Sequence, residues 1–182
     1  MMHGIAKRLG TWAGSAALVG AAVLTGPAAG QAHAAAGDLA CSGQFTMTFT
    51  PGLTPGGSAT LNVSASLSKC SSPNGYYSTL QSATATASGT ATSNSNGKGP
   101  CGVLFSGSGT GTLTWSPANT KSSIQFTVNT DPTNGTVTFH CVITNGTLVN
   151  DSDAVAPAIS GMRCSTNGGL QSLSATVGVA FS

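Results

Sequence analysis

Residues 135–144 read GTVTFHCVIT, and their alternation decides the fold. Val137, Phe139, Cys141 and Ile143 share one parity; Thr136, Thr138, His140 and Thr144 share the other, and only Val142 breaks the polar side. Successive strand side chains point to opposite faces, so this period of two predicts a half-buried β-strand. Asn134-Gly135 leads into the stretch and Asn145-Gly146 follows it. Asn-Gly suits the two positive φ angles of a type I′ turn, which predicts hairpins at both ends.

The pattern recurs outward in both directions. Phe45, Met47 and Phe49 alternate with threonines over 41–50, and Leu61, Val63, Ala65 and Leu67 over 58–68. Ala83, Ala85 and Ala87 continue it within 80–93, then Val103, Phe105, Leu113 and Trp115 within 103–115, and Ile124, Phe126 and Val128 after that. Leu173 to Phe181 forms a last strand, and 147–169 reads as an irregular polar loop. Gly, Pro and Asn punctuate the gaps, as in Pro51–Gly57, Pro73–Gly75 and Ser116–Asn119. About seven or eight strands with frequent turns predict an all-β, antiparallel β-sandwich, Ig-like or jelly-roll-like, with a barrel as the alternative. Gly107, Gly109 and Gly111 leave one face of their strand bare, which invites an aromatic from an opposite sheet or a ligand.

Ahead of the strands, Lys7 and Arg8 precede an apolar run from Trp12 to Leu24, and Ala32-His33-Ala34 is a small-x-small cleavage site. That order is a secretory signal peptide, with 1–34 as leader and 35–182 as one secreted domain. The run is too short for a membrane span. A lipoprotein site at Cys41 is disfavoured by Asp38 and by its distance from the run.

Charged residues make up 5% of the chain, against about 25% in ordinary soluble domains. There is no glutamate, and beyond residue 35 Lys69, Lys98, Lys121 and Arg163 balance Asp38, Asp131, Asp151 and Asp153. A nucleic-acid partner needs a basic footprint, and so does adhesion to anionic membrane; neither is present.

Export permits disulfides for Cys41, Cys70, Cys101, Cys141 and Cys164. A hairpin turning at 51–57 brings Cys41 close to Cys70. Cys101 and Cys164 both lie just before strands and form the second expected pair, leaving Cys141 as a buried thiol; Cys141 with Cys164 is the alternative. No C-x-x-C spacing is present and His140 is the only histidine after the leader, so neither zinc nor another cofactor is expected. His140 and Cys141 are adjacent in a strand and point apart, which denies the thiol its base. Asn150-Asp151-Ser152-Asp153 offers oxygens to calcium but lacks the glycine and glutamate of an EF-hand loop, and a solvated acidic loop is the simpler reading. A hydrolase would have to assemble His140 with an aspartate, and no G-x-S-x-G elbow accompanies them. Tyr76 and Tyr77, beside Asn74-Gly75, are the candidate ligand-binding pair, able to stack on a sugar.

The segments CSGQFTMTF, PGLTPGG, LSKC and GSGTGTLTW, with a late cysteine before a final strand, resemble a group of small secreted Ser/Thr/Gly-rich actinobacterial proteins, mostly uncharacterised. The resemblance runs from Cys41 to Phe181 and implies a secreted β-sandwich; Cys141 departs from that group's four-cysteine pattern. The expectation is an extracellular or cell-envelope structural or interaction module, not an enzyme. Its partner would be cell-wall polysaccharide or another protein.

Overall fold

The computed structural model describes residues 37–96, 99–130 and 136–182. The expected leader and the turn at 131–135 lie outside the described residues. Nine strands form: β1 (Leu39–Leu53), β2 (Ser58–Ser71), β3 (Ser82–Ser93), β4 (Phe105–Ser116), β5 (Lys121–Thr130), β6 (Val137–Gly146), β7 (Ser152–Val155), β8 (Ala158–Ser165) and β9 (Gly169–Phe181). They make one antiparallel sheet in the order β7-β6-β5-β4-β3-β2-β1-β9-β8. The expected two-sheet sandwich, Ig-like or jelly-roll-like, is therefore corrected: a single sheet curls into a half-barrel. Alternation specifies one buried face per strand, and curling lets that face cover itself.

The curl brings the β7 edge round to the end of β9. Ser152 N donates to Ser182 O at 3.1 Å, and Ser182 N donates back to Ser152 O at 3.2 Å. Outside this seam, β8 lies on the far side of β9 as an exposed edge. Its register with β9 slips between Ile159 and Gly161 and again between Arg163 and Cys164.

The inner face carries the core in two clusters. One gathers Phe45, Met47, Phe49, Leu61, Phe105 and Phe126; the other gathers Leu39, Leu113, Trp115, Ile143, Leu148 and Phe181. Ala65, Ala87, Phe139 and Val177 pack against both and form the waist between them. The bare glycine face has an aromatic over it, but from the neighbouring strand. Gly109 pairs with Phe126, and a Cβ on Gly109 would sit 2.7 Å from the Phe126 ring. Phe126 stacks on Phe139 at 5.5 Å between centroids, and Phe139 on Phe45 at the same distance.

Two further expectations change. The loop expected over 147–169 holds β7 and β8. After β6, only Gly146 of the Asn145-Gly146 pair has a positive φ, and the reversal falls later, with Leu148 and Asn150 in the left-handed region. Ile143 closes that turn, donating its N–H to Asp151 O and accepting from Asn150 N.

Candidate functional site

Cys141 and Asp153 face each other across the β6–β7 pair, and both point into the half-barrel. Each is 5% exposed. They line a cavity of about 60 Å³ at the waist, where Ala65, Ala85 and Ala87 are too small to fill the space between the clusters. Oδ1 of Asp153 is buried without a hydrogen-bond partner among the described residues. Burial raises its pKa to about 7, although backbone hydrogen bonding at Cys141 and at Asp153 itself draws it back. Burial, and then the Asp153 charge, push the Cys141 thiol up to about 12. A thiol so poised is not a nucleophile, because the reactive form is the thiolate. The pair supplies one carboxylic acid inside a hydrocarbon wall. The sequence offered no sign of this; Asp153 was expected beside Asp151 in a solvated loop, and the structure separates the two.

Asp151 stays at the rim. Its pKa is raised first by burial, then by the charge of Asp38 and by a side-chain hydrogen bond with it. Asn74 Nδ2 donates to Asp38 Oδ1, and Asn74 Oδ1 accepts from Ser72 Oγ at 2.9 Å and from Tyr76 N at 3.0 Å. The Tyr77 N–H donates to Ser72 Oγ. This network fixes the 72–77 loop and splits the tyrosine pair. Tyr76 is 84% exposed, whereas Tyr77 packs against the Trp115 cluster. Of the candidate pair, Tyr76 is the ring left free at the surface. Burial, then Asp151 and Asp38, raise the Tyr77 pKa. Among the described residues no cluster of three or more His, Cys, Asp or Glu side chains is arranged to hold a metal.

The other end of the sheet carries a groove of about 290 Å³ between the ends of β3, β4 and β5. Thr92, Asn94, Ser106, Asn129 and Thr130 line it, all uncharged, with Phe105 at its floor. Thr130 Oγ1 accepts from Phe105 N at 2.6 Å and donates to Phe105 O, which holds that wall in place. The groove continues a ranked outer surface: Thr84 pairs with Thr114, Thr86 with Thr112, Ser88 with Thr110 and Thr90 with Ser108. These polar positions are the outward parity of the same strands that build the core.

The cysteines are bridged as Cys41–Cys70 and Cys101–Cys164, and Cys141 is free and buried. The first bridge follows from the β1–β2 register, which pairs Ala40 with Ser71. Two disulfides fit an oxidising, extracellular environment. His140 stands on the outer face with Thr127 and Ala154 as register neighbours, away from Asp153 on the inner face. No helix among the described residues is long and apolar enough to cross a membrane. The chain matches no protein-family model, no curated protein and no solved structure.

Proposed function

We propose that this chain is an exported, non-enzymatic interaction module of the cell surface or medium, whose partner is neutral and rich in hydroxyls, as wall polysaccharide is. The uncharged groove at the β3–β4–β5 end carries the reading. Its volume is close to the lower end of small-ligand pockets, and hydroxyls and amides line it. Such groups exchange hydrogen bonds with a glycan without having to desolvate a charge. The two bridges and the expected leader support export. The outward position of His140 supports a non-catalytic role.

The test is retention of the secreted protein on insoluble chitin, cellulose and purified peptidoglycan. Retention on at least one, lost in an Asn94→Ala/Asn129→Ala variant and kept in Tyr76→Ala, is the expected result. Retention that depends on Tyr76 instead favours the second reading, a glycan stacked on that exposed ring. Absence of retention on all three removes the polysaccharide reading and leaves a protein partner. Turnover of any polysaccharide that disappears in His140→Ala would overturn the non-enzymatic role.

A further inference from the structure

We propose that β7 is a pH-operated flap over the waist cavity, closed while the Asp153 side chain is a neutral acid and displaced when that side chain ionises, which opens the cavity and the Cys141 thiol to solvent.

The geometry carries this in three parts. First, β7 is weakly held. It has four residues, pairs with β6 over Val142–Phe139 on one side, and on the other is hydrogen-bonded, among the described residues, only through the reciprocal Ser152–Ser182 pair just past the end of β9. It is flanked by the left-handed Leu148 and Asn150 before it and by Pro157 after it, which has no N–H to donate. Second, the interior offers an Asp153 carboxylate no cation, only backbone hydrogen bonding at Cys141 and at Asp153 itself. Cys141 is the one other titratable group facing Asp153 from β6. β1 to β5 and β9 turn hydrocarbon toward it, through Phe45, Leu67, Ala87, Leu113, Ile124 and Val179 among others. His140 points outward, Asp151 faces Asp38 and Tyr77, and among the described residues no cation lines the cavity. Third, Oδ1 of Asp153 is already without a partner, so ionisation strands a charge in a site that satisfies only part of the neutral acid. A buried group in that position either keeps its proton or leaves, and leaving requires only that a short edge strand detach. The elevated pKa of Asp153 places the changeover near neutral pH.

The consequence is a thiol whose exposure follows pH more steeply than its own chemistry does. The experiment measures alkylation of Cys141 by N-ethylmaleimide in the intact, bridged protein from pH 5 to 9. Each rate is divided into the rate for the unfolded protein at the same pH, which removes the intrinsic thiolate dependence. Protection is expected to fall at least tenfold between pH 6 and pH 8, and Asp153→Asn is expected to hold it constant. Unchanged wild-type protection across that range overturns the proposal, and so does an equal fall in Asp153→Asn. Hydrogen exchange of the wild type decides independently of whether that variant folds. Normalised for intrinsic exchange, Asp153 and Val155, whose N–H groups face β6, should lose protection above pH 7 while β2 and β3 keep theirs. Loss in all strands together, or in none, counts against a flap.

Discussion

In the first six strands each element lies beside the one before it in the chain, whereas β9 crosses to pair with β1 and leaves β7 and β8 as the two ends of the sheet. The meander β1–β6 has strands of 10–15 residues with regular alternation, and its inner face supplies most of both core clusters. The closing region has two short strands: β7 buries a carboxylate, and β8 buries almost nothing. Stability therefore resides in the hairpins and in the long β1–β9 pairing, whereas closure at β7 rests on few hydrogen bonds. The part of the molecule with least holding it is also the part that carries the ionisable interior group. That is where a change of conformation costs least.

The sharpest way to break the meander is Phe126→Ala. It removes the ring that covers Gly109 and stacks on Phe139, and it should lower stability by about 3–5 kcal/mol, read from the shift in denaturant midpoint. Asp153→Asn probes the closing region. Asp153 ionises near 3.8 in the unfolded chain and near 7 in the fold. Below 3.8 both states hold the proton; from there to about 7 only the folded state does, so stability falls as pH rises through that window. The full shift corresponds to roughly 4 kcal/mol, and opening of β7 reduces what is observed to about 2–4 kcal/mol. Denaturation at pH 4 and pH 8 should show this loss in the wild type and not in the variant.

Removing the Cys101–Cys164 bridge, which ties the start of the β4 approach to β8, should cost about 2–4 kcal/mol. It closes 63 residues against 29 for Cys41–Cys70, so loop entropy alone makes it about 0.7 kcal/mol the stronger of the two. Comparing the thermal midpoints of the two Cys→Ser pairs tests that order. Ser122→Ala leaves the Trp115 Nε1–H and the Thr147 carbonyl without their shared partner and should cost about 1–2 kcal/mol, with a change in tryptophan emission. Tyr76→Ala, at an exposed ring, should stay within about 0.5 kcal/mol of the wild type.

The same contrast governs what could be read from the residues. Alternation and turn dipeptides mark all seven long strands, because each buries one face. The Cys41–Cys70 bridge follows from a single hairpin. β8 is illegible because its side chains are almost all exposed, so no hydrophobic period records it. β7 is hidden by Asp153, since a carboxylate in a four-residue segment signals a surface loop and only the closed sheet turns it inward. Alternation also does not distinguish an inner face that meets a second sheet from one that meets itself, which is why two sheets were expected where one curls. The groove was missed for a related reason. Thr92, Ser106 and Asn129 are ordinary outward residues until register places them side by side.

The two slips in the β8 register bear on how the protein behaves in company. A straight open edge lets a second chain add its own strand and a third add to that, and sparse charge gives little repulsion to stop it. Here the step is lost at Gly161 and again at Cys164, with Arg163 between. An incoming strand could pair for only a few residues before its carbonyls and amides fell out of phase. Fibre growth would then meet an edge guarded by irregular spacing where other proteins rely on like charge.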